Sequence, residues 1–255
     1  MSDPTTRFSN RVDDYVRWRP SYPSEVVRLL REDLGMTSTW VVADIGAGPG
    51  NLTRLILDDG NRVFGVEPNR EMREAGETLL AGYLHFTSVD GTAEATGLSD
   101  ASVELVVAGQ AFHWFDVARS RVEISRILRG PRQVAFVWNK RRTSGTPFLE
   151  AYEELLRGLG TDYAEIRHGS GQGEKLAAFF SGADQYATAS FPYAQRFDVE
   201  GLRGRVLSSS YVPAIGQPGH DELLVELDEL FAATNVGGEV SFDYDTTVYF
   251  GRLDG

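Results

Sequence analysis

The sequence predicts a doubly wound α/β domain: a seven-stranded sheet, mostly parallel with an antiparallel C-terminal edge hairpin, and helices on both faces. Three observations lead there. Between residues 40 and 138, short apolar runs rich in β-branched residues alternate with segments whose apolar residues recur at helical spacing. That alternation favours parallel strands joined by right-handed crossovers. A turn with three alternate glycines follows the first apolar run, and two late strand candidates bracket a pair of helices. Late strands commonly join a parallel sheet as antiparallel edges.

In chain order, residues 1–23 are charged and aromatic and close on two prolines that a helix interior rejects, so a short helix or lid and then a turn are expected. Val26, Val27, Leu29, Leu30 and Leu34 make one apolar face of a helix over 24–34, with Ser24 as its N-cap. The run WVVADI, halted by glycines, reads as a strand covered on both faces. Helix 51–59, strand RVFGVE, helix 69–80, strand LHFTSV and a short helix after Glu94 follow. Then come strand VELVVAGQ, helix 117–128 and strand QVAFVW. Beyond Pro147 a helix over 148–158 leads into HGSGQGEK, which reads as a connector. ATASFPY and VSFDYDTTVYF are the late strands, around helices in VEGLRGRVLSSSY and DELLVELDELFAAT. The expected organisation is a lid segment at 1–23, a ligand-binding core at 24–140, and helices and strands of the same domain at 141–255 that line the substrate.

Composition narrows the function. The 255 residues carry a net charge of −12 and no cysteine. Absence of cysteine removes disulfides, thiolate metal sites and thiol nucleophiles, and no metal site is expected. An acidic chain is poorly suited to neutralising phosphates, so nucleic acid is not the expected partner. No apolar run approaches the roughly 20 residues that span a bilayer, and the start MSDPTTRFSN is too polar for a signal peptide. A cytoplasmic protein with a small-molecule partner, no membrane attachment and no legible oligomeric state is the expectation.

The strongest motif is Asp44-Ile45-Gly46-Ala47-Gly48-Pro49-Gly50, directly after the first strand candidate and opening a helix. Glycines there let the backbone approach a ligand, and free amides at a helix start favour an anionic group. The dinucleotide pattern G-x-G-x-x-G needs a glycine at 51, where this chain has Asn51, which weakens a nicotinamide or flavin reading. Glu67 ends the second strand candidate about 20 residues on, where a carboxylate can accept both hydroxyls of a ribose. Asp90, followed by Gly91, Thr92 and Ala93, can read an adenine edge, with helix capping as the competing reading of Asp90.

VVADIGAGPGNLT, the acid in VFGVEPN, VDGTAEATGLSDASVELVVAGQAFHWFD and QVAFVWN together resemble the class I S-adenosylmethionine-dependent methyltransferases, a Rossmann-like family. The nearest group is the type 11 domain proteins, including trans-aconitate methyltransferase-like enzymes, and the resemblance covers roughly residues 7–140. It implies S-adenosyl-L-methionine as cofactor, with Asp44, Gly46, Ala47, Gly48 and Gly50 beside its methionyl part and Glu67 with Pro68 at the ribose. It places Asp90, Gly91, Thr92 and Ala93 at the adenine, and Gln110 and Ala111 beside the methionyl ammonium and the reactive methyl. Arg19, in R-x-R-P-x-Y-P, is the candidate for the methionyl carboxylate, with Tyr15 closing over the site.

Methyl transfer from a sulfonium asks an enzyme mainly to position and desolvate two reactants. A phenol or amine acceptor profits from a base, for which His113 is the candidate; with Trp114 it reads equally as pocket wall. A carboxylate acceptor calls instead for a cation, and Arg205 with Ser208, Ser209, Ser210 and Tyr211 is the candidate set. A solvated helix face is the other reading of that set. Phe112, Trp114, Phe115, Tyr15, Trp18 and Tyr22 suggest an apolar acceptor pocket or ordinary packing. The run Asn139-Lys140-Arg141-Arg142 reads as a solvated strand end. The alternatives to a small-molecule methyltransferase are a non-catalytic sensor of the cofactor, a nucleic-acid methyltransferase and an NAD-linked oxidoreductase.

Overall fold

The structure is a computed structural model that describes residues 17–159, 172–209, 211–213 and 215–253. Its centre is a seven-stranded sheet in the order β3-β2-β1-β4-β5-β7-β6. Strands β1 (Val41–Ile45), β2 (Arg62–Val66), β3 (Phe86–Val89), β4 (Val103–Gly109) and β5 (Leu128–Arg141) run parallel. β6 (Ala187–Phe197) and β7 (Val240–Arg252) complete it as antiparallel strands. β7 lies between β5 and β6, so the late hairpin is added through its second strand.

Local chemistry explains most boundaries. Helix α1 (Glu25–Glu32) buries Val26, Val27, Leu29 and Leu30. Ser24 does not cap it: its backbone is already helical and its hydroxyl turns to the Glu25 carboxylate. α2 (Asn51–Leu57) starts from Gly50 in the left-handed conformation. α3 (Arg70–Leu79) is capped by Asn69, whose side-chain oxygen accepts the Met72 N–H at 2.9 Å. Asp116 caps α4 (Val117–Ile127), and Thr146 with Pro147 opens α5 (Pro147–Gly158).

Three expectations are corrected. No helix follows Glu94: Thr92 and Ala95 pair in an isolated bridge, and the Glu123 carboxylate accepts both the N–H and the hydroxyl of Thr96. A side chain from α4 thereby satisfies backbone that a helix turn would otherwise have used. The connector HGSGQGEK lies partly outside the described residues. Its last four residues begin α6 (Gln172–Phe180), which buries Leu176, Phe179 and Phe180 in the core. The glycine-rich sequence leading into it, with Gly173 in its first turn, masked an apolar face that only the neighbouring α4 reveals. β5 is much longer than QVAFVW, because it starts directly after α4 and continues through Arg141 beside β7.

Apolar side chains fill both faces of the sheet. One face joins Ile45, Val106, Ile124, Phe136 and α6, and the other joins α1, α2, Val107, Val137 and Val248. A third cluster packs α5, α7 (Val199–Leu207) and α8 (His220–Thr234) over Phe242 and Tyr244 of β7. This helical cap stands beyond the carboxyl end of β5, the end of a parallel sheet where ligands bind. Among the described residues, no helix is long and apolar enough to cross a membrane.

Candidate functional site

The site is built from the carboxyl ends of β1, β2, β4 and β5. Gly46 and Gly48 both have positive φ, and a Cβ at Gly46 would stand 2.5 Å from that of Ala111. The Gly46 and Ala47 amides bond back to the Val66 carbonyl, at 2.8 and 3.2 Å, which ties the turn to the end of β2. A Cβ at Gly48 would meet no heavy atom within 4 Å, so the space in front of that backbone is open.

Two buried carboxylates flank the turn. Glu67 accepts the Gly48 N–H through Oε2 and the Asn69 N–H through Oε1, both at 2.8 Å. A carboxylate offers about four lone-pair sites, so roughly two remain for a ligand's hydroxyls. Burial raises its pKa, against the Asn69 and Gly48 amides and the nearby Arg73. Asp44 is 1% exposed; its Oδ2 accepts the Thr53 hydroxyl at 2.7 Å, whereas Oδ1 has no partner among the described residues. Burial pushes its pKa up to about 7, against the Thr53 hydrogen bond, with the Glu67 charge adding to the rise. An orphaned buried acceptor is costly, and a donor or cation that reached it would remove that cost.

At the end of β4, Gln110 holds a left-handed backbone (φ 57°), which strains a residue with a side chain. Its Nε2 donates to the Asn139 carbonyl at 2.9 Å. Asn139 in turn accepts the Thr246 hydroxyl at 2.6 Å and donates to the Ser21 carbonyl at 2.8 Å. The segment after Arg17 is thus tied across the sheet, with the Tyr22 hydroxyl over Gly109 and Trp18 against Gly204.

Register places a second polar group beside the first. Asp44 pairs with Val107, Gly109 with Val137, Asn139 with Thr246 and Arg141 with Tyr244. Paired residues and those two apart share a face, so Asp44, Gly109, Asn139, Arg141, Thr246 and Tyr244 lie along one face of the sheet. There Arg205, 5% exposed, donates to the Tyr244 hydroxyl from Nε and Nη2, both at 3.2 Å, and to Ser209 Oγ at 3.1 Å. Arg141 pairs with the buried Glu153 at 2.8 Å.

A methyltransferase domain model matches residues 43–132, the span that holds the glycine turn, both acids and Gln110. An uncharacterised methyltransferase of Schizosaccharomyces pombe is 30% identical over 230 residues, covering 88% of this chain and 86% of the relative. The chain belongs to this methyltransferase family. An uncharacterised methyltransferase of Mycobacterium tuberculosis is 37% identical over 139 residues, 54% of each chain. Among solved structures, one described as a type II methyltransferase from Anaeromyxobacter dehalogenans shares the fold, with a TM-score of 0.68 at 20% identity, covering 92% of this chain and 98% of that one. The protein is a class I S-adenosylmethionine-dependent methyltransferase with the family's Rossmann-like sheet.

In this methyltransferase the residues expected at the site are distributed unevenly. Asp44, Gly46, Ala47, Gly48, Gly50, Glu67 and Pro68 cluster at the ends of β1 and β2, with Ala111 against Gly46. Asp90 is exposed and takes both Nη atoms of Arg73 at 3.2 Å, beside Gly91, Thr92 and the buried Ala93. Arg19 donates to the Ser208 carbonyl at 3.0 Å, which places it toward the helical cap; Tyr15 lies outside the described residues. His113 is exposed on a single 3-10 turn (Phe112–Trp114), its ring near Trp114 and Trp138 and its carbonyl held by Lys175.

Trp138 is an odd number of residues from Arg141 along β5 and so faces away from it. His113 and Trp114 therefore sit on the Trp138 side, and Arg205 and Tyr211 on the Tyr244 side. Phe112 and Phe115 are packed in the core, Phe112 stacking on Phe136 at 4.2 Å. The solvated reading of the late helix is also corrected: Ser208 and Ser209 are buried with Arg205, and Ser210 lies outside the described residues. So is that of Arg141, whose side chain is 11% exposed. Asn139, Thr246, Tyr244 and Glu153 were not legible as site residues, because their partners come from distant strands.

Proposed function

We propose that this methyltransferase holds S-adenosylmethionine against the Asp44–Gly50 turn and passes its methyl group to a small-molecule acceptor lying across the ends of β4 and β5. The carrying observation is the pair of buried carboxylates at one glycine turn, one with lone pairs to spare and one with an orphaned oxygen. The residues fit the cofactor: Glu67 suits two ribose hydroxyls, Asp44 suits a cationic or N–H-bearing methionyl end, and Gly48 leaves room for both. Asp90, Gly91, Thr92 and Ala93 are assigned to the adenine, Gln110 and Ala111 to the methionyl end, and Arg19 with Tyr15 to its carboxylate.

When bound, S-adenosylmethionine supplies a methyl on a positively charged sulfur, and transfer breaks that carbon–sulfur bond as one bond from the methyl to the acceptor forms. The chain's part is to position, and no side-chain nucleophile is required. Asn139 ties Gln110 to Ser21 and so holds the end of β4 against the segment that covers it. Tyr22, over Gly109, keeps water from the same edge. An acceptor hydroxyl or amine must shed a proton, and exposed His113 is assigned to take it and hand it to solvent.

Calorimetric titration with S-adenosylmethionine tests the cofactor assignment, and release of S-adenosylhomocysteine on addition of metabolite mixtures tests turnover. Binding without release across a wide mixture would replace the enzyme's acceptor reading with that of a sensor. No binding to the intact chain would remove the assignment.

A further inference from the structure

The charge balance of the helical cap goes beyond the cofactor site. Arg205 is buried and always charged, since a guanidinium cannot shed its proton in a protein. It contacts no carboxylate among the described residues: its hydrogen bonds go to two hydroxyls, those of Tyr244 and Ser209. Five N–H bonds thus meet two oxygen acceptors, and one N–H on each Nη is left over. Glu153, the buried carboxylate of the cap, is engaged by Arg141 at 2.8 Å and by Arg157 at 3.3 Å. Tyr211 reports the resulting field. Burial pushes its phenol up, yet Arg205, a hydrogen bond with Ser209, and the Arg19 and Arg141 charges hold it below the ordinary tyrosine value.

A buried charge without a counter-ion is costly, and a ligand that supplies the opposite charge removes that cost. Resting on the methyl-transfer reading, we infer that Arg205 anchors a carboxylate of the methyl acceptor, as a recognition group distinct from the atom that takes the methyl. The planar fork of the two Nη atoms matches one carboxylate. A doubly charged phosphate would overcompensate a single free guanidinium charge in a chain of net charge −12.

Position separates recognition from reaction. Gln110 reaches Asn139, which faces Thr246, whereas Arg205 hangs on Tyr244, two residues and about 7 Å further along the same face of β7. A carboxylate clasped there is both away from the β4 end and weakened as a nucleophile by its hydrogen bonds. The acceptor therefore carries at least two polar groups.

The test titrates the intact protein, alone and saturated with S-adenosylhomocysteine, with glutarate, tricarballylate and phenylacetate. Their methyl esters and methylphosphonate serve as comparators. At least one acid should bind while its ester does not, and Arg205→Lys should weaken that acid about tenfold or more. Affinity of the same variant for S-adenosylhomocysteine should stay within about twofold. The acid and ester comparison on the unaltered chain stands even if the variant folds poorly. Equal binding of acid and ester, no acid binding, unchanged acid affinity in Arg205→Lys, or preference for the phosphonate would each overturn it. Failure of S-adenosylhomocysteine to bind the unaltered chain would instead remove the methyl-transfer reading, and the acid titration would still decide the subsite.

Discussion

Asp44 and Arg205 are both buried charged side chains on one side of the sheet, yet the fold treats them in opposite ways. Asp44 can escape the cost of burial by taking up a proton, and its pKa has moved to about 7. Arg205 cannot escape. Burial works against its charge, and the oxygens of Tyr244, Tyr211 and Tyr152 hold it charged instead. The difference sets the two ends apart: the β1 end is an acid that a cationic or donor-rich ligand would keep ionised, and the cap holds a fixed cation that meets no carboxylate among the described residues.

The largest expected effect tests the cap. Removing the buried carboxylate of that cluster in Glu153→Ala takes from buried Arg141 its ion-pair partner among the described residues, and should cost about 3–5 kcal/mol in chemical denaturation. A loss under about 1 kcal/mol would show that the cap tolerates uncompensated guanidiniums, which would weaken the contrast.

At the other end, Glu67→Ala should lower affinity for S-adenosylmethionine about a hundredfold by calorimetry. Such a loss, about 2.7 kcal/mol, suits two charge-assisted hydrogen bonds together with a loosened Gly48 turn.

The next effect is a matter of pH. A carboxyl whose folded pKa lies above its unfolded value favours the folded state most at low pH, and that contribution is lost as pH rises from about 4 through about 7. Asp44→Asn should therefore raise the melting temperature of the cofactor-free protein more at pH 8 than at pH 5, by about 5 °C. Affinity of the unaltered protein for the sulfonium cofactor should climb about tenfold between pH 6 and pH 8, as Asp44 ionises. A flat affinity profile would show that Asp44 faces no positive part of the ligand.

The smallest effect is at Asp90. Its pair with Arg73 is solvent-exposed on the carboxylate side, so Asp90→Ala should change stability by less than about 0.5 kcal/mol. A larger change would mean that this turn is part of the scaffold rather than a ligand contact.

Legibility followed distance along the chain. The glycine turn and Glu67 sit about 20 residues apart on consecutive strands, and what marks them in the sequence is local: a backbone that must turn, an acid that ends a strand. The alternation of apolar runs likewise announced the parallel strands, because each element's periodicity is written in its own residues. By contrast, the short helix expected after Glu94 failed because Glu123, some 27 residues away, captures Thr96. The α6 helix was hidden in a glycine-rich stretch whose apolar face needs α4 to be seen.

The cap shows the same division in a functional setting. Arg205 and Tyr211 were visible as a candidate cation and hydroxyl, but nothing in VEGLRGRVLSSSY distinguishes a buried arginine from a solvated one. What decides it is β7, which brings Tyr244 under Arg205 from 39 residues away and Arg141 beside Tyr244 from the end of β5. By itself, then, the amino-acid order determined the layered α/β architecture and the turn-and-acid pair, since those depend on periodicity and on short-range backbone geometry. The tertiary structure alone decided which charges are buried, on which face they meet and which find a counter-ion among the described residues. Burial and Coulomb balance belong to the packing of distant segments and are set by no segment singly.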